Sequence, residues 1–210
     1  MTNPPSEHAT PIVFVVDDDV SVRESLELLI AQAGWRPETF ASARAFLARE
    51  QTSVPSCLIL DVGLPDINGL DLQERVASNV LAMPIIFITG YGDVPMTVRA
   101  MKAGAAEFLT KPFPDDVLLG AIENAIERST ATLAHEADLR VLHDAYASLS
   151  NREREVMGLV VSGALNKQIG HQLLISEITV KAHRGKVMRK MNARSLAELV
   201  NMAAALGVGR

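Results

Sequence analysis

Five times within its first 128 residues the chain alternates a short apolar run with a segment of helical spacing, and this beat constrains the fold more than any other feature. Ile12 to Val16 is continuously apolar and rich in β-branched residues; Val20 to Ala33 follows with helical spacing and is closed by Gly34. The pattern continues as Trp35–Thr39 extended and Ser42–Ala48 helical, Leu58–Leu60 extended and Gly69–Ala77 helical, Ile85–Ile88 extended and Pro95–Ala103 helical, then Glu107–Leu109 extended and Asp115 onward helical. Strands alternating with helices in this way predict a five-stranded parallel sheet, doubly wound, with both faces covered. Such sheets place their sites at the carboxyl ends of the strands.

That rule gathers a polar set. Asp17 and Asp18 follow the first strand, Asp61 ends the third, Thr89 ends the fourth and Lys111 follows the fifth. The run from Cys57 to Leu70 is the most pointed of these: a buried strand delivers one carboxylate, Asp61, to a loop opened by Gly63 and Pro65. Burying a carboxylate is costly without a cation or a reaction that uses it. Three carboxylates brought together repel and call for a hard divalent cation, for which Mg2+ with oxygen ligands is the natural fit. A hydroxyl and an ammonium beside them suit the oxygens of a phosphoryl group. Lys111-Pro112 is an X-Pro bond, and a cis bond here turns the lysine back over the strand ends. No Gly-rich loop of the P-loop or dinucleotide type occurs, and Gly63 stands where an Asp-x-Asp phosphatase needs its second acid.

Val-Val-Asp-Asp-Asp at 15–19, Leu-Asp-Val-Gly-Leu-Pro-Asp at 60–66, Ile-Thr-Gly at 88–90 and Phe-Leu-Thr-Lys-Pro-Phe at 108–113 resemble the receiver domain of bacterial two-component response regulators. The resemblance implies a flavodoxin-like receiver in which Asp61 accepts a phosphoryl group from the phosphohistidine of a sensor histidine kinase. It implies that Asp17, Asp18, Asp61 and the backbone carbonyl of Gly63 hold Mg2+, and that Thr89 and Lys111 grip the phosphoryl oxygens. Phe108 is then the aromatic that turns inward when Thr89 moves. Asp19 reads as a first-turn helix residue rather than a ligand.

Charge separates the two ends of the chain. Residues 1–128 hold 9 Lys and Arg against 18 Asp and Glu, whereas residues 150–210 hold 10 against 4. An acidic front suits a cation or phosphoryl group and a basic back suits a polyanion. The single cysteine, Cys57, excludes disulfide frameworks and reads as a small core residue. No apolar stretch is long enough to span a bilayer and residues 1–11 read as a loose tail, so a cytoplasmic protein without membrane association is expected.

Between Gly120 and Gly158 there is no Pro or Gly, so the last receiver helix is expected to run on into a helical linker over 129–148. Its apolar positions fit either a two-stranded seam in a dimer or a helix packed on its own domain. Ser150 and Glu153 have capping-box spacing for a helix to about Val161; Asn166 is expected to cap a second to Leu173; a tight turn leads to a third over Glu177–Met191; Ser195 and Glu198 box a fourth to Leu206. Four short helices with a tight turn between the second and third predict an all-α helix-turn-helix domain over 149–210. Val180, Val187 and Met191 share the inward face of the third helix.

Leu-Ser-Asn-Arg-Glu-Arg-Glu-Val at 149–156, Asn-Lys-Gln-Ile at 166–169 and Thr-Val-Lys-Ala-His-Arg at 179–184 resemble the LuxR-type DNA-binding domain. Joined to a receiver over 12–128, the combination resembles the FixJ/NarL regulators, nearer FixJ over Arg184–Met191. By position this implies groove contact from Lys181 and Arg184 and phosphate contact from Lys167, Thr179, Lys186 and Arg189. Gly185 departs from the family; it either permits close approach to the groove or removes a base contact. His183 has no second ligand at metal spacing.

The expected function is a phosphorylation-controlled transcription regulator of double-stranded DNA. It has little enzyme chemistry beyond Mg2+-dependent gain and loss of the phosphoryl group at Asp61, forms a homodimer when phosphorylated, and has RNA polymerase as a further partner. A phosphate sink with a protein-binding tail and a receiver with an RNA-binding output are the rivals, the second disfavoured by the lack of stacking aromatics in the basic region.

Overall fold

The computed structural model describes residues 10–50, 52–77 and 83–208. Of the expected tail, residues 1–9 lie outside the described residues. The elements are β1 (Ile12–Val16), α1 (Val20–Gln32), β2 (Arg36–Phe40), α2 (Ala43–Leu47), β3 (Ser56–Asp61), α3 (Gly69–Ala77), β4 (Ile85–Thr89), α4 (Val94–Lys102), β5 (Glu107–Thr110), α5 (Asp115–Ala147), α6 (Asn151–Val161), α7 (Asn166–Leu173), α8 (Glu177–Lys190) and α9 (Leu196–Ala205).

The strands form one parallel sheet in the order β2-β1-β3-β4-β5. Every residue of β1, β3 and β4 is buried, which is why these runs are continuously apolar instead of alternating. Side chains still alternate between faces. Phe14, Leu58, Leu60 and Phe87 point to a core closed by Ala43 and Phe46 of α2, Leu70 and Leu72 of α3 and Ala100 of α4. Val13, Val15, Cys57, Ile59, Ile86 and Ile88 point to the other, closed by Leu26 and Ile30 of α1 and by Leu118, Ile122 and Ile126 of α5. Cys57 is a core residue, and burial pushes its thiol pKa up to about 12.

Short polar side chains start the helices. Asp19, Ser42 and Asp93 each accept a backbone N–H in the first turn of α1, α2 and α4. Gly34 and Gly104 leave α1 and α4 at φ of +90° and +91°, a region that favours glycine. All the expected strands but the first run one residue further at their carboxyl ends, where backbone pairing continues: Asp61 pairs with Ile88, and Thr89 with Thr110.

The chain divides into two compact units, residues 1–134 and 135–210. Helix α5 is continuous over 33 residues, and after Gly120 no Pro or Gly interrupts it. Its first half belongs to the sheet core, and Ser129 Oγ accepts the Ser56 N–H at 3.0 Å. Its last turns supply Leu142, Ala145 and Tyr146 to the core of the second unit, where they meet Leu149, Val156, Met157, Ile169, Val180, Val187, Met191 and Leu199. The second unit is the four-helix arrangement α6 to α9, with α8 packed on both α6 and α7.

Two details of this unit differ from expectation. Leu165, not Asn166, is the N-cap of α7: it is extended, and its N–H donates to Gln168 Oε1 at 2.7 Å. Asn166 instead spends its side chain on Arg184. At α9, Ser195 accepts the Glu198 N–H, but the Glu198 carboxylate takes the N–H of Arg194, one residue before the cap, so the box is displaced by one. The box of Ser150 and Glu153 on α6 is complete. Among the described residues no helix is long and apolar enough to cross a membrane.

Candidate functional site

The carboxyl ends of β1, β3, β4 and β5 bring together Asp17, Asp61, Thr89 and Lys111. Asp17 is 1% exposed and Asp61 8% exposed. Lys111 Nζ donates to Asp17 Oδ2 at 2.7 Å and to Asp61 Oδ1 at 3.1 Å, so one ammonium bridges carboxylates from two strands. Burial alone lowers an ammonium's pKa; hydrogen bonds and attraction from Asp17 and Asp61 outweigh it here and hold Lys111 above the ordinary lysine value. Lys111 is aimed by its neighbours: its own N–H donates to the Thr89 carbonyl at 2.7 Å, and the Lys111-Pro112 bond is cis.

The remaining acceptors are held as firmly. Asp61 Oδ2 accepts the Gly63 N–H at 2.6 Å, and Asp17 Oδ1 accepts the Asp19 N–H at 2.9 Å. Asp18 is exposed, and Asp19 caps α1 through Ser21. Among the described residues no cluster of three or more His, Cys, Asp or Glu side chains stands in metal-holding geometry. Asp17 and Asp61 converge, while Asp18 faces solvent. The oxygen-only donor set, with two carboxylates close enough to share one ammonium, fits a hard cation such as Mg2+.

Thr89 is buried, and its Oγ1 accepts the Tyr91 N–H at 3.2 Å. Phe108, across from Phe87 in the sheet, is half-buried with its ring centroid 6.1 Å from that of Phe87. Gly92 closes the loop over them: a Cβ there meets Thr110 Cγ2 at 2.8 Å, Phe108 Cε1 at 3.1 Å and Thr89 Cγ2 at 3.3 Å. Tyr91 beside it is exposed.

Two residues in this region carry roles that the motifs do not reveal. Arg23 on α1 donates to the Asp17 carbonyl at 2.7 Å and the Asp18 carbonyl at 3.0 Å, holding the acidic loop by its backbone. A basic residue one turn into the helix behind an acidic run is the available signal. Asp66 accepts the N–H groups of Ala43 at 3.3 Å and Arg44 at 3.0 Å, tying the loop after Asp61 to the start of α2. Burial alone raises its pKa, but those backbone bonds prevail and keep the carboxyl below the usual range. Nothing in local spacing announces a bond across more than 20 residues.

In the second unit Val180 and Val187 of α8 and Met191 just beyond it are buried, and Lys181, Lys186 and Arg189 are exposed on other sides of α8, with Lys167 also exposed and Thr179 half-buried. Thr179 Oγ1 lies 2.8 Å from Ser176 Oγ, the cap of α8. Arg184 is half-buried, and its guanidinium donates to Asn166 Oδ1 at 2.6 Å, bracing α8 against α7. A Cβ on Gly185 meets nothing within 4 Å. Gly170 is the opposite case: a Cβ there stands 2.8 Å from the Ile175 carbonyl, so the tight turn before α8 closes directly on α7.

Such a sheet, with acids and a lysine at its strand ends, joined in one chain to a helix-turn-helix unit with basic residues on the helix after the turn, defines a signal receiver with a nucleic-acid-binding output. Residues 13–123 match the response regulator receiver domain, and residues 147–203 match the bacterial regulatory proteins of the luxR family. The chain belongs to the response regulators that carry a LuxR-type DNA-binding domain, and is a transcription regulator rather than a classical enzyme. It is similar to Nodulation protein W of Bradyrhizobium diazoefficiens, 49% identical over 94% of this chain and 87% of that protein. Similarity to the transcriptional regulatory protein FixJ of Rhizobium meliloti is 43% identity over 94% of this chain and 97% of that one. Among solved structures the response regulator StyR matches with a TM-score of 0.83, at 46% identity, covering 93% of this chain and 99% of that one.

Proposed function

We propose that Asp61 is the phosphoacceptor and that its phosphorylation controls DNA binding by residues 149–210. The carrying observation is the bridging of Asp61 and Asp17 by Lys111 at the strand ends. A carboxylate oxygen of Asp61 attacks the phosphorus of a phosphohistidine on a sensor histidine kinase; the P–O bond forms as the P–N bond breaks and the imidazole leaves. Lys111 is positioned to neutralise charge on the phosphoryl oxygens, and the Thr89 hydroxyl, now an acceptor from Tyr91, donates to them instead. Asp17, Asp18, Asp61 and the Gly63 carbonyl would hold Mg2+, which supplies positive charge against the incoming phosphoryl group.

Withdrawal of Thr89 from the 91–92 loop frees space beside Phe108, and the ring turns inward. The surface of α4 and β5 changes, a homodimer forms, and the basic unit engages double-stranded DNA and then RNA polymerase in the cytoplasm. Lys181 enters the groove and Arg184 follows at its edge; Lys167, Thr179, Lys186 and Arg189 contact phosphates. Treatment of the full chain with phosphoramidate and Mg2+ is expected to give one acid-stable, base-labile phosphoryl group and tighter duplex binding. Asp61→Asn is expected to abolish both; an Asp61→Asn chain that still gained DNA affinity would refute the assignment.

A further inference from the structure

The outward face of α8 carries an apolar stripe. Val180 and Val187, with Met191 after them, define the buried side, and at 3.6 residues per turn the opposite side is centred on Ile178, Ala182, Gly185 and Arg189. Ile178 is 81% exposed, although isoleucine is among the residues most often buried. Ala182 and Gly185 are exposed as well, and open space surrounds Gly185. Three of the four positions that face away from the core therefore offer no hydrogen-bonding side chain. Lys181 borders the stripe on one side and Lys186 on the other, both exposed. The Lys181–Glu177 pair, at 3.5 Å between half-exposed or more exposed side chains, is a surface contact that opens easily.

Ammonium groups on both flanks select a polyanion as the occupant rather than an apolar protein surface. Two cationic borders around an apolar ridge match the section of a major groove, whose walls are phosphates and whose floor is base edges. On that floor the thymine C5-methyl is the group that an apolar side chain can bury with profit, while the amino group of cytosine or adenine loses its water without gaining a partner. Ile178 lies in the first turn of α8, the part of a recognition helix that reaches base edges.

We propose that Ile178, continued by Ala182 and Gly185, reads thymine methyl groups in the major groove, so that base selection at this position is by methyl burial and close approach. This rests on the reading of α8 as the groove-entering helix.

The test uses the full chain, treated with phosphoramidate and Mg2+, to enrich duplexes from a random library. Thymines of the enriched site are then replaced one at a time by deoxyuridine, which removes only the methyl. At one or two positions affinity is expected to fall about fourfold, the worth of one buried methyl. Ile178→Ala is expected to bind thymine and uracil duplexes alike at those positions, whereas Lys181→Ala weakens both and keeps their ratio. Ile178 is exposed, so an unchanged melting temperature is expected for Ile178→Ala and checks that it folds. Enriched duplexes whose binding depends on Lys181 but ignores every uracil replacement overturn the methyl reading and leave α8 as the groove helix. Failure to enrich any duplex overturns both.

Discussion

Lys111 and Asp17 stand 94 residues apart in the chain and 2.7 Å apart in the fold, and Asp61 shares the same ammonium. The lysine is therefore the counter-charge that lets two acids lie together at the strand ends. Its replacement by methionine leaves both carboxylates facing each other without it. Hydrogen bonds to charged groups contribute about 1.5–3 kcal/mol, and Lys111 is a quarter exposed, so a loss of about 1.5 kcal/mol is expected for Lys111→Met in a urea titration without metal. Added Mg2+ is expected to narrow the difference from the wild type, because a cation among the acids replaces the missing charge.

Glu153 predicts a pH dependence in the second unit. The hydrogen bond from Lys190, then that from the Ser150 N–H, hold its carboxyl at about 2, against an ordinary value of 4.5. A depressed folded pKa gives stability that is complete above the ordinary value and is lost as pH falls from there toward about 2. The urea midpoint of the wild type is expected to exceed that of Glu153→Gln at neutral pH, and the gap is expected to close across that acid window.

Two glycines of the same unit should respond to alanine with opposite signs. Gly170→Ala drives a Cβ to 2.8 Å from the Ile175 carbonyl, and overpacking of this kind costs about 1–3 kcal/mol. Gly185→Ala meets nothing, and in a helix interior it is expected to stabilise by about 1 kcal/mol. Thermal unfolding of the two variants reads both outcomes.

Lys181→Ala and Lys186→Ala are each expected to weaken duplex binding, and Lys186→Ala, which removes a phosphate contact, to reduce the slope of log affinity against log salt by about one unit. Arg184→Ala is expected to act partly through stability, since its guanidinium already braces α8 to Asn166. A lowered melting temperature alongside weaker binding separates that case from the lysines.

Much of this was legible along the chain. Apolar runs ending in an acid, a hydroxyl or a lysine marked the strand ends, and Asp19, Ser42, Ser150 and Ser195 marked helix starts, because both signals are local. The same local logic erred at Asn166, a good cap by type, whose side chain was already committed to a residue 18 positions away. Arg23 lay outside the motifs, and Asp66 closed one without revealing its role, because their partners are backbone groups that only loop packing brings into reach.

Periodicity and composition, then, determined by themselves the layered sheet, the continuous helix α5, the helix-turn-helix unit and the list of polar strand ends. Only the tertiary structure decided which of the acids meet Lys111, that Asp18 faces solvent while Asp17 is buried, and that α8 turns Ile178 outward. Pattern along a chain sets which face of an element is apolar. Hydrogen-bond partners over long separations depend on where loops place a few atoms, and no repeat in the sequence carries that.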